Sequence, residues 1–282
     1  MADRRLWPVA TVVAAMAVAG ATAVGVMATR ADPSGSVPQE TLVFADEFEH
    51  DALDPGRWTT CYWWEDRGCT NSGNDELEWY LPDNVGVEDG VLRLEARRER
   101  VRGSDGETYP YTSGMVTTGR SRDDQSQRPR FGFRYGRVEA RMRMPEGKGL
   151  WPALWLLPLT HESRPEIDVM EVLGDTPATL RAHFRYVDDD GERVTVGHTW
   201  RGADSSARWH RYGLRWTPEE LVWLVDGEEQ WRFSEEEHVP DEPMYLLINL
   251  AVGGEWPGDP APSTDFPAAL EVDYVRIWQR GG

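Results

Sequence analysis

Lysine is nearly missing from this chain of 282 residues: Lys148 stands alone among 30 basic side chains, against 49 acids, and the formal net charge is −19. A surface so short of cations cannot neutralise the phosphates of a nucleic acid. It also repels polyanions unless a local group of arginines overrides the mean field. Neutral polymers are the compatible partners. Cysteine is scarce too, with only Cys61 and Cys69. No further Cys and no nearby His completes a zinc site around them, so in an oxidising compartment they are expected to close a small disulfide ring. A phosphate loop and a paired-His zinc motif are both lacking, as is any long helical period. Nucleotide, redox and metal-catalytic chemistry thus have no sequence carrier here.

Long apolar runs are confined to the N-terminus, where Asp3-Arg4-Arg5 precedes the mostly apolar stretch Leu6 to Ala28 and Thr29-Arg30-Ala31 follows. A basic start, an apolar middle and a small-residue exit read residues 1–31 as a secretory signal peptide or, if uncleaved, an N-terminal membrane anchor. Arg4-Arg5 also admits a twin-arginine export reading. The expected location is secreted, or extracellular on an anchor. Residues 32–40 read as a linker around Ser34-Gly35-Ser36, and residues 41–282 as one domain.

That domain reads as all-β. Short alternating segments recur at Leu42–Ala45, Val85–Val87, Val91–Ala96, Tyr135–Met144, Tyr212–Trp216, Leu221–Val225, Met244–Leu250 and Leu270–Trp278. Asp226-Gly227 is a hairpin signal. Many short strands with Gly/Pro turns imply two packed antiparallel sheets, one of them curved into a groove suited to an extended substrate.

Against this background Glu166-Ile167-Asp168-Val169-Met170-Glu171 stands out, because acids within an apolar strand are costly to bury unless something uses them. Period-two alternation puts Glu166 and Asp168 on one face and Glu171 on the other. One extra residue, a β-bulge at Val169-Met170, would return Glu171 to the face of the first two. The two glutamates would then start with Cα atoms ~13 Å apart and could lean to the ~5–5.5 Å carboxyl separation of retaining glycoside hydrolysis. Spacing alone leaves two other readings open, a solvated polar face and an oxygen-lined calcium cage. Fourteen tryptophans, several beside Gly, Pro or polar loop residues (Trp58, Trp63, Trp64, Trp79, Trp151, Trp256), serve a core and also suit stacking on pyranose faces.

Three segments carry a resemblance: Phe133-Arg134-Tyr135-Gly136-Arg137-Val138-Glu139-Ala140-Arg141, Gly149-Leu150-Trp151-Pro152-Ala153-Leu154-Trp155-Leu156-Leu157-Pro158, and Glu166 to Glu171. With Asp46-Glu47-Phe48, Trp209-His210 and Asp273-Tyr274-Val275-Arg276-Ile277, they resemble glycoside hydrolase family 16, in its laminarinase-like, endo-β-1,3-glucanase branch. The resemblance implies a β-jelly-roll sandwich of two curved antiparallel sheets with a concave substrate cleft. It implies endo-acting retaining cleavage of β-1,3 or mixed β-1,3/1,4 glucan by a monomer, with Glu166 as nucleophile, Asp168 as its assistant and Glu171 as acid/base. It places Asn74, Trp151, Trp155, His183, Asn249 and Trp256 at the substrate, while His210 reads as a packed structural histidine. It requires no catalytic cofactor, and it implies a structural calcium on Glu47, the Gly90 carbonyl and Asp273. Three departures are expected to border the cleft: Met115 where many laminarinases carry Arg, the strand Arg181-Ala182-His183-Phe184-Arg185-Tyr186, and the Cys61–Cys69 loop. The alternatives are a transglycosylase on the same scaffold and a non-catalytic glucan-binding cell-wall protein.

Overall fold

The computed structural model describes residues 40–63, 68–122, 128–160 and 162–280. The signal or anchor reading of residues 1–31, nearly all of the linker and Trp64 lie outside them. Two antiparallel sheets carry the fold. The cleft sheet has six strands in the order Arg193–Arg201, Thr179–Val187, Glu166–Val172, Leu150–Pro158, Met244–Val252 and Met115–Thr117. The outer sheet runs Glu228–Phe233, Leu221–Val225, His210–Trp216, Gly136–Arg143, Ala268–Arg280, Val91–Ala96 and Val85–Glu88. Glu40–Asp46 also pairs with Ala268–Arg280.

Alternation accounts for the outer sheet. Val138, Ala140 and Met142 turn inward, while Arg137, Glu139, Arg141 and Arg143 stay partly exposed between them. The inward residues share one core with Ile167, Val169, Met170 and Phe184 from the cleft sheet. Each of these apolar side chains, Ala140 excepted, contributes roughly 1.5–3 kcal/mol on burial. That core fixes which face of the acid strand Glu166–Val172 is left for the cleft.

The cleft sheet is covered on its other face as well. Tyr62, Trp63, Tyr80, Trp155 and Tyr245 form a second cluster there. The Cys61–Cys69 disulfide, with Cα atoms 5.0 Å apart, closes the loop that delivers Tyr62 and Trp63. Met115 is wholly buried in this cluster. It lies beneath the cleft instead of bordering it, because the aromatic layer seals it over.

Two features depart from the sequence reading. Glu78–Tyr80 pairs in parallel with Tyr111–Ser113, outside the two antiparallel sheets. Arg193–Arg201, with two arginines, two threonines and His198 and exposed along much of its length, is the edge strand of the cleft sheet. Val194, Val196 and Trp200 are its partly buried residues, packed against the core, and the exposed polar residues between them are what an edge tolerates. The Asp226-Gly227 turn forms as expected, with φ of 52° and 88°, both left-handed as a type I′ hairpin requires.

Candidate active site

The acid strand carries the bulge. Trp155 pairs with Asp168 and Leu154 with Met170, so Val169 has no partner on the tryptophan strand Leu150–Pro158. The slip recurs on the other side, where Asp168 faces His183 but Glu171 faces Arg181. Val169 and Met170 both enter the core, and Glu171 returns to the face of Glu166 and Asp168. All three acids line one cavity of about 300 Å3 with Asn74, Trp151, Trp155 and Asn249. From the outer sheet, the Trp223 indole N–H donates to the Asp168 carbonyl at 2.9 Å, through the core and at the bulge itself.

Burial and neighbouring charge separate the acids. Glu171 is buried, and its carboxyl is pushed up to about 7, chiefly by desolvation, against the opposing pull of the Arg185 guanidinium. Asp168 is raised well above the usual carboxylate range by burial and then by the charges of Glu171 and Glu166. Glu166 is paired with Arg185, whose guanidinium also lies 3.3 Å from Asp168. His183 Nδ1 is 2.5 Å from Glu171 Oε2. Burial lowers the histidine's own pKa, which favours a neutral ring sharing a proton with Glu171. Asp168, Glu171 and His183 are the one group among the described residues with three metal-capable side chains close together. A nitrogen already bonded to Glu171 makes it a poor cage for calcium, which takes six to eight oxygens.

The sugar-contact candidates divide by what else they hold. Asn249 spends both ends of its amide, accepting from the Trp155 indole at 2.8 Å and donating to the Tyr80 hydroxyl at 3.0 Å. Its position therefore fixes the Trp155 ring. Trp256 is 39% exposed and edges against Trp151, centroids 5.1 Å apart, with His183 at 5.9 Å. The Arg181 guanidinium lies over this ring, 5.4 Å from its centroid, and Trp256 is not among the residues that line the cavity of the acids. Asn74 donates to Glu76 at 2.9 Å, and its carbonyl accepts from the Glu255 N–H at 2.9 Å. Gly254 makes that clamp possible: its φ is +104°, and a Cβ there would sit 2.6 Å from the Asn74 carbonyl oxygen. His210 instead bonds Asp226 at 2.7 Å on the outer sheet, away from the cleft.

Sequence reasoning passed over Arg185 as a site residue, along with Glu76, Arg164 and Arg193, which line the same cavity. Arg185 carried a signal, since it lies two residues after His183 and period two places both on one face. Glu76 carried less. It is a buried carboxyl beside a second one, Glu78, which is wholly buried and accepts from the Val252 N–H at 2.7 Å. Burial pushes both up, Glu78 furthest, and the hydrogen bond between them favours the proton on Glu78. The folded chain thus keeps protons that the unfolded chain releases above the ordinary value of 4.5. Stability should fall as pH rises from that value toward the folded one, by about 1.4 kcal/mol per unit for each group in its window. Glu78→Gln keeps a donor toward Glu76 without titrating. Calorimetry from pH 5 to 8 should show a flatter decline of Tm in this variant, and an unchanged slope would contradict the shared proton.

The residues expected to hold calcium do not fit it. Both oxygens of Glu47 accept from Arg276, at 2.7 and 2.8 Å, and Asp273 accepts from Arg141 at 2.7 Å. Gly90 occupies a turn with φ of +76°. An arginine already supplies the positive charge beside each carboxylate, leaving a dication no free anionic ligand pair.

Residues 75–276 match the family Glycosyl hydrolases family 16. The chain is 35% identical to the "Beta-glucanase" of Rhodothermus marinus over 271 residues, covering 88% of each protein. It is 36% identical over 252 residues to "Endo-1,3-1,4-beta-glycanase EglC" of Rhizobium meliloti (strain 1021), where it spans 84% of itself but about half of that longer protein, 51%. The laminarinase catalytic domain of Thermotoga maritima MSB8 has a similar structure, with TM-score 0.75 and 33% identity over 86% of this chain and 99% of that one. Family pattern, sequence relatives and jelly-roll architecture agree, and the chain belongs to glycosyl hydrolases family 16.

Proposed function

We propose that this glycosidase is a secreted endo-β-glucanase cleaving β-1,3 or mixed β-1,3/1,4 glucan with retention of configuration. The bulge carries the reading, because it sets Glu166, Asp168 and Glu171 on one cleft face beside Trp151 and Trp155. The glucanase and laminarinase relatives support the substrate class, and the disulfide suits an exported protein.

In this mechanism Glu166 attacks the anomeric carbon while Glu171, holding its proton near neutrality, protonates the departing glycosidic oxygen. Glu171, now a carboxylate, next takes a proton from water, which displaces the sugar from Glu166. Asp168 lies between them and, retaining a proton, tunes the charge on the nucleophile. Trp151 offers an apolar ring face to the sugars.

The test is the product profile on laminarin, lichenan and agarose, with Glu166→Gln as control and the first anomer read by NMR. Short oligosaccharides from laminarin or lichenan, absent in the control and released as the β-anomer, are expected. An α-anomer would end the retaining reading. Products from agarose alone would indicate a galactanase, products longer than the substrate a transglycosylase, and no products a binding protein.

A further inference from the structure

The chain carries 19 more acidic than basic side chains, yet three arginines meet at one end of the cleft. Arg164, Arg185 and Arg193 all line the cavity that holds the acids. Register explains the meeting. Arg185 pairs with Glu166 on one side and with Thr195 on the other. Arg193 lies two residues before Thr195, hence on the same face as Arg185. Arg164 precedes the acid strand and reaches across to the Val194 carbonyl at 3.5 Å.

Two of these three charges lack a carboxylate partner among the described residues. Arg185 is shared between Glu166 and Asp168. Among the described residues, no carboxylate comes within ion-pair distance of Arg164 or Arg193. Burial disfavours the charged form of Arg164, opposed by the attraction of Glu166 and Asp168 and aided by repulsion from Arg185 and Arg193. Asp168 and Glu171, both raised by burial, provide less negative charge than their number suggests. Glu76 lines the same cavity, and Glu162 lies in the adjoining hollow with Ser163 and Glu166. Asp168, Glu166 and Glu171 already favour the charge on Arg185, whereas a neutral glucan offers nothing to Arg164 and Arg193 beside it. An anion offers them a partner, because the guanidinium fork binds carboxylate and sulfate oxygens in pairs.

We infer that Arg164, Arg185 and Arg193 form a subsite for an anionic substituent, a carboxylate or a sulfate ester, carried by the β-glucan near the bond to be cleaved. This rests on the glucanase reading above and names its substrate class more narrowly. The local field then opposes the overall one: the acidic body repels polyanions in general, while the cleft end admits a sugar whose charge falls in register with the arginines.

The test compares kcat/KM of the full-length protein on laminarin and on lightly carboxymethylated and lightly sulfated laminarin, at 20 and 500 mM NaCl. The expected result is about a tenfold preference for at least one anionic polymer at low salt, shrinking at high salt. The polymer that shows the preference identifies the group. In the double variant Arg164→Gln/Arg193→Gln the ratio of anionic to neutral rates should return to near one. Arg193→Glu, a change at an exposed edge strand, should push it below one. Cleavage of laminarin with no anionic preference in the wild type, or a preference that survives the double variant, would overturn the subsite and leave the glucanase reading standing. Cleavage of none of the three polymers, nor of lichenan, would overturn both.

Discussion

Replacing Glu171 by Gln is expected to lower kcat/KM on laminarin by about 10³-fold, the scale of a lost general acid. The protein should stay folded, because the amide is isosteric and burial of a neutral group removes a desolvation cost. The pH profile should change with it. In the wild type the acid must hold its proton, and with the carboxyl pushed up to about 7 the rate should fall about tenfold per pH unit above that value. The variant has no proton to lose there, so its residual rate should be flat through the same range. A wild-type rate that stays level well above neutrality would remove Glu171 from the role.

Azide separates the two glutamates. In Glu171→Gln the covalent sugar on Glu166 still forms with a good leaving group, and azide needs no general base to displace it. The product should be a β-glycosyl azide and the rate should recover. In Glu166→Ala azide instead enters the space of the missing nucleophile and should yield the α-azide. Both variants giving one anomer would contradict the assignment of roles. Recovery in neither would contradict the double displacement.

Much of this site was legible in the sequence because strand chemistry is local. The acid spacing required a bulge at Val169-Met170 for three carboxylates to share a face, and the register slips there. Strand alternation also located most of the outer sheet. What escaped depends on pairing between distant segments. Arg185 meets Glu166 only because the strand Thr179–Val187 lies beside the acid strand, and Arg193 joins it only through the next strand. Glu76 and Glu78 look like ordinary acids of a polar loop until the Val252 N–H is brought to Glu78 from 174 residues away. The arginines beside the expected calcium ligands were hidden for the same reason. Nothing near Glu47 in sequence announces Arg276, 229 residues away, which takes both of its oxygens.

Trp223→Phe should damage catalysis from the opposite sheet. Trp223 is fully buried, stacks on Trp231 with centroids 4.2 Å apart, and donates its indole N–H to the Asp168 carbonyl. Phenylalanine keeps a ring against Trp231 but removes that donor and some volume. A buried carbonyl left short of its donor costs about 1–3 kcal/mol, and the smaller ring adds about 1 kcal/mol of cavity. The expected loss is therefore about 2–4 kcal/mol of stability, read as a lower Tm. The effect on rate has a different origin. The carbonyl belongs to the residue where pairing slips on both sides, so the indole holds the backbone whose extra residue turns Glu171 back toward Glu166. Loosening it by even a fraction of an ångström should reduce kcat by about 10- to 100-fold with a smaller change in KM, since positioning of the reacting groups is what is lost. Trp231→Phe is the control. It disturbs the same stack without touching the bulge, and should lower Tm while kcat, measured well below the transition, stays close to wild type. Equal losses of kcat in the two variants would make Trp223 a packing residue only. A loss confined to Trp223→Phe would mean that the outer sheet, through one hydrogen bond across the core, sets the spacing of the catalytic acids.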